Sequence, residues 1–114
     1  MELSFEDIGD LRVIAVQEDR IDAAVAIQFK DRMREMTETA PPGVLLDLSQ
    51  VAFLDSSGLG AVVAAFKQVG PDRKFELAGL SPAVEKVFKL TRMDSVFTIH
   101  AKASDVTGLL ANAS

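Results

Sequence analysis

Residues 44–48, VLLDL, narrow the fold more than any other stretch of this chain. A near-continuous apolar run of strand length has no polar side to show water, so it belongs inside a sheet covered on both faces. Helical periodicity flanks it on either side. Upstream, Val25, Phe29, Met33 and Met36 recur at helical spacing within residues 22–39, with Lys30, Asp31, Arg34 and Glu35 elsewhere on the turns. Downstream, Leu59, Val62, Val63 and Phe66 make the inward stripe of a helix over 57–69. A buried strand approached and left through helices predicts parallel strand neighbours joined by crossovers.

The remaining punctuation completes the pattern. Leu3–Ile8 and residues 11–17 read as strands around the turn pair Gly9-Asp10, an antiparallel N-terminal hairpin. Asp22 sits where an N-cap would sit, and Pro41-Pro42-Gly43 ends the first helix. Gly70-Pro71-Asp72 stops the second. Residues 75–78 form another strand. Ser81-Pro82 opens a helix whose apolar face is Val84, Val87 and Phe88, a hydroxyl cap followed by proline in the first turn. Residues 96–99 read as a final short strand, and Val106, Leu109 and Leu110 as the apolar side of a terminal helix. The expected order is β-β-α-β-α-β-α-β-α: a single α/β domain over 1–114, with a mixed, mostly parallel sheet and helices packed on it.

Composition excludes several functions. The 114 residues are 48% hydrophobic, enough to fill one core. A net charge of −5 opposes contact with phosphate backbones, and the absence of Trp and Tyr removes the stacking surfaces single strands use, so no direct nucleic-acid binding is expected. No apolar run is long enough to span a membrane. The acidic start MELSFEDIGD lacks the pattern of a signal peptide, and a cytoplasmic protein is expected. Without cysteine there is no thiolate ligand or thiol nucleophile, and His100 alone cannot build a transition-metal site; no metal and no cofactor are expected.

FLDSSGLG, residues 53–60, is the stretch that bears on function. A buried-looking Phe-Leu pair runs into an acid, two hydroxyls and two glycines at the start of a helix. A hydrolase triad could draw on Ser56 or Ser57, His100 and an acid, but G-x-S-x-G is absent, as are the phosphate-binding glycine motifs. Asp47 with Asp55, or Asp22 with Asp55, could be proposed as an acid/base pair, although acids at such places are usually caps and turn formers. Asp55, Ser56 or Ser57 could cap the helix, while Gly58 and Gly60 permit a tight entry. One cap needs one side chain, and three candidates exceed that need. A hydroxyl at a helix N-terminus is also well placed to carry a phosphate, because free N–H groups and the positive end of the dipole favour added negative charge. The outer stripe of this helix is expected to be Gly60, Ala61, Ala64 and Ala65, small residues that suit either a shallow docking surface or a plain surface helix.

VLLDLSQVAFLDSSGLGAVVAAFKQV resembles the signature of the STAS domain family, especially its stand-alone bacterial anti-sigma factor antagonists. LAGLSPAVEKVFKLTRMDSVFTIH, residues 77–100, is similar to the family's second characteristic region, so the resemblance covers nearly the whole chain. It implies a non-enzymatic binding module whose phosphorylated serine falls on Ser56, with Asp22, Asp55, Ser57 and Gly58 around it and Gly60, Ala61 and Ala64 toward the partner. It further implies an anti-sigma factor of histidine-kinase-like ATPase fold that phosphorylates Ser56 with ATP, and a metal-dependent serine phosphatase that reverses the mark. Unphosphorylated antagonist binds the anti-sigma factor and frees sigma. The family also contains accessory subunits of lipid-transport and stress-signalling complexes, which the resemblance leaves open. Residues 18–22, EDRID, depart from the family's G-E-L-D stretch: glycine is absent and Arg20 replaces an acid.

Overall fold

The computed structural model describes residues 1–39 and 41–113. Strands β1 (Leu3–Ile8) and β2 (Leu11–Val16) form the expected antiparallel hairpin, with Ile8 opposite Leu11 across the Gly9-Asp10 turn. Gly9 has φ +58°, a value cheap only for glycine. Next come β3 (Arg20–Ile21), α1 (Ala26–Thr37), β4 (Gly43–Asp47), β5 (Phe53–Leu54) and α2 (Ser56–Val69). The chain continues through β6 (Lys74–Ala78), α3 (Pro82–Leu90), a 3₁₀ turn at Met93–Ser95, β7 (Ile99–His100) and α4 (Ala103–Ala113).

The main sheet runs β1-β2-β4-β6-β7, and every pair after the hairpin is parallel. VLLDL therefore does occupy the centre. Val44 and Leu46 point to one face and Leu45 to the other, and all three are fully buried. Because the order never reverses, right-handed crossovers place α1, α2 and α3 on one face of the sheet. That face holds the core: Ile14, Val16, Val44, Leu46, Phe75 and Leu77 meet Phe29 and Met33 of α1, Val62 of α2, and Val84 and Phe88 of α3. Helix α4 packs against β1 and β7. Val106 lies near Leu11, Gly43 and Glu76, which belong to the opposite face; the side chains of Leu109 and Leu110 lie outside the described residues.

Two expectations are corrected, and one pair of strands is new. The first helix begins at Ala26 rather than Asp22, and its N-cap is Val25 with no side-chain bond. Asp22 instead folds a local turn, Oδ1 accepting from Ala24 N–H at 3.1 Å and the carbonyl from Val25 N–H at 3.1 Å. Such an Asx-type turn competes with helix for the same backbone donors. The last strand is Ile99–His100 and not 96–99, because the chain is still turning through 96 and 97, whose N–H groups both donate to the Met93 carbonyl. Phe97 leaves the strand pattern for the core, with ring centroids 5.0 Å from Phe66 and 5.8 Å from Phe88. The two-residue strands β3 and β5, which pair parallel as a separate small sheet, were not expected.

Ser81 joins two distant parts of the chain. Its Oγ accepts from Val84 N–H at 3.4 Å as the cap of α3 and donates to the Val51 carbonyl at 2.9 Å. That bond ties α3 to the loop that delivers β5. Ser81→Ala removes both contacts and leaves a half-buried carbonyl without its donor. The expected loss is about 1.5 kcal/mol in unfolding free energy, read from urea denaturation, with an unchanged m-value.

Candidate functional site

The site is built where β3 and β5 run together into the first turn of α2. Register sets Arg20 beside Phe53 and Ile21 beside Leu54. The Asp19 carbonyl accepts from Ala52 N–H at 2.7 Å and Phe53 N–H at 3.1 Å, which fixes the approach of β5. Asp55 then leaves the strand in extended conformation, φ −97° and ψ −174°, and becomes the N-cap of α2.

Both carboxylate oxygens of Asp55 are occupied. Oδ1 accepts from Gly58 N–H at 2.8 Å, the usual capping bond, and Oδ2 accepts from Ala23 N–H at 3.2 Å. One acid thus caps α2 and holds the turn that Asp22 folds. The choice among three possible caps is settled: Asp55 takes the role, and Ser56 and Ser57 stand exposed on the first turn, released from capping. Gly58 is buried directly on β3. A Cβ there would lie 2.0 Å from the Ile21 carbonyl oxygen, so only glycine lets the helix start this close.

Asp22 lies beside this constellation through Ala23. Its Oδ2 is 3.2 Å from Arg20 Nε, and the Arg20 guanidinium lies 4.9 Å above the Phe53 ring. The Phe-Leu pair is therefore split: Leu54 is buried, but Phe53 is 44% exposed beneath Arg20. Strand alternation sends successive side chains to opposite faces, which the apolar composition of the pair conceals.

The small-residue stripe also needs correction. Gly60 is exposed and Ala64 half-buried, but Ala61 and Ala65 are buried. Helix α2 packs on α1 as well as on the sheet, so its buried arc widens to take in alanines, whose small side chains let the two helices close. Its outward face is Ser57, Gly60, Ala64, Lys67 and Gln68. Across the α1–α2 groove from Ala64 stands Ile27, 69% exposed, a residue the helical pattern did not single out.

The alternative chemistries do not assemble around Ser56. His100 Nε2 is 2.9 Å from Glu76 Oε1, but among the described residues neither Ser56 nor Ser57 is hydrogen-bonded to that imidazole, so no triad forms. Asp47 Oδ1 accepts from Ser49 N–H at 2.9 Å and turns the end of β4, while Asp55 is committed to backbone donors. Among the described residues, no group of three or more His, Asp or Glu is placed to hold a metal ion, and no helix is long and apolar enough to cross a membrane.

Known proteins resemble this chain in sequence and in fold. The family model described as the STAS domain matches residues 2–106. An anti-sigma-B factor antagonist of Listeria monocytogenes is 30% identical over 90 residues, covering 77% of this chain and 78% of that protein. The anti-sigma-F factor antagonist RsfB of Mycobacterium tuberculosis is 27% identical over 90 residues, covering 78% and 74%. Among solved structures, an anti-sigma factor antagonist from Mycobacterium paratuberculosis superposes with a TM-score of 0.84 at 25% identity, over 96% of this chain and 93% of that one. With its two characteristic stretches joined by Ser81 and its α2 entry capped by Asp55, the chain belongs to the STAS domain family.

Proposed function

We propose that this protein is an anti-sigma factor antagonist of the cytoplasm, a binding module without a reaction of its own, switched by phosphorylation of Ser56. One observation carries the reading. Asp55 does the capping, so the neighbouring hydroxyl is exposed at the positive end of α2 with nothing structural to lose. The names of the relatives supply the class of partner.

The unmodified protein binds an anti-sigma factor of histidine-kinase-like ATPase fold and so releases sigma. That partner is also the kinase: Ser56 Oγ bonds to the γ-phosphorus of ATP as the bond to the ADP oxygen breaks, and the hydroxyl proton leaves to base or solvent. A metal-dependent serine phosphatase hydrolyses the ester and restores the binding form. The contact surface runs from Ser56 and Ser57 along Gly60 and Ala64, with Ile27 and Phe53 as exposed apolar flanks. Ala61 lies beneath this surface, buried in the core.

Incubation with the kinase and ATP adds one phosphate to the intact mass, and Ser56→Ala abolishes the addition while Ser57→Ala retains it. Labelling that persists in Ser56→Ala removes Ser56 from this role.

A further inference from the structure

Arg20 has no part in the switch described above, yet with Phe53 it stands at the rim of the site. Arg20 has 57% of its side chain exposed, with Nε 3.2 Å from Asp22 Oδ2 and the guanidinium stacked on Phe53. Ladder register places it beside Phe53, in the strand that leads through Leu54 and Asp55 to Ser56. From the other side, Asp22 precedes Ala23, whose N–H is bound by Asp55. A cation is therefore held at the same strand ends that present the hydroxyl.

We infer that Arg20 is the intramolecular counter-ion of a phosphate on Ser56, its guanidinium leaving Asp22 for the phosphoryl oxygens when the serine is modified. The inference rests on Ser56 as the modified residue and adds how the chain holds the modified form. A phosphoserine carries nearly two negative charges, so at equal distance it attracts a cation about twice as strongly as one carboxylate does. The guanidinium fork matches phosphate oxygens two at a time, and an exposed arginine–carboxylate pair is weakly held. The Phe53 ring limits where the guanidinium can go, and Phe53 itself precedes Ser56 by three residues. Asp19, Asp22 and Asp55 all lie in this cluster and oppose a new anion. The α2 N-terminus and Arg20 are the features that favour it.

The test uses full-length protein with phosphoserine installed at position 56 during translation, so no kinase is needed. Phosphorus NMR follows the second ionisation of the phosphate, ordinarily near pH 6. With Arg20 present the midpoint is expected about half a unit lower than in Arg20→Gln, with Arg20→Lys between them. The Arg20 Nε–H resonance of the unsubstituted protein is expected to move on modification. Equal midpoints in the native and Arg20→Gln proteins overturn the inference; so does an Nε–H resonance that stays in place, which decides the matter even if Arg20→Gln does not fold. Transfer by the kinase to another residue would instead sink the proposed function, and this titration would still read the Arg20 contact.

Discussion

Gly58→Ala destabilises this protein by roughly 3 kcal/mol, a fall in Tm of about 15 °C. The direction opposes intrinsic preference. Within a helix, alanine is better than glycine by up to about 1 kcal/mol, so propensity alone predicts a gain. Here the added methyl meets the Ile21 carbonyl oxygen at 2.0 Å, and the Ile21 carbonyl carbon lies 2.9 Å away. Neither atom is the end of a flexible side chain. That oxygen also accepts from Asp55 N–H, at 3.4 Å, so moving β3 strains the strand that sets the cap. Gly60 is the internal control. It is exposed on the same helix, and a Cβ there meets nothing within 4 Å. Gly60→Ala is therefore expected to stabilise by about 0.5–1 kcal/mol. Thermal unfolding of both variants by circular dichroism checks the pair. Equal shifts of the same sign would mean that α2 does not start against β3.

The second large effect is on binding. Ser56→Asp is expected to weaken affinity for the anti-sigma partner about a hundredfold while melting stays within a degree or two of the parent. In the free protein the new carboxylate stands exposed at a helix N-terminus, where it is tolerated or mildly stabilising. Beneath a docked partner it must shed water, and burying an unmatched charge costs several kcal/mol. A loss of about 3 kcal/mol corresponds to that hundredfold change. Titration calorimetry and far-UV circular dichroism on the same samples separate the two effects. Undiminished affinity would exclude charge at position 56 as the switch; collapse of the fold would mark Ser56 as a structural residue.

Much of this architecture is legible in residue order because it follows from local chemistry. VLLDL has no polar side to expose, so its central position follows from composition and length. Pro41-Pro42-Gly43 and Gly70-Pro71-Asp72 stop helices by backbone geometry, whatever surrounds them. Ser81 caps α3 as its place before proline suggests. Less legible are choices between chemically equivalent candidates. Asp22 and Asp55 both look like helix caps, but only Asp55 is one, because Asp22 finds a nearer donor in Ala24. Phe97 reads as strand and becomes core, since three other phenylalanine rings converge on its position.

The residues around Ser56 show the division most clearly. Serine and acid at a helix entry were enough to mark the place, since any hydroxyl on a first turn faces unpaired N–H groups and a positive dipole end. Which of Asp55, Ser56 and Ser57 would be consumed as the cap could not be read there, because each offers an oxygen to the same donors. That depended on a second donor, Ala23 N–H, arriving from a turn 32 residues away. The same holds for Ala61 and Gly60, neighbours with similarly small side chains. Packing of the helix into the core buries one and leaves the other open. Periodicity and capping act over a few residues and are written in order along the chain. Competition for a shared donor or a shared surface is resolved only when distant segments meet.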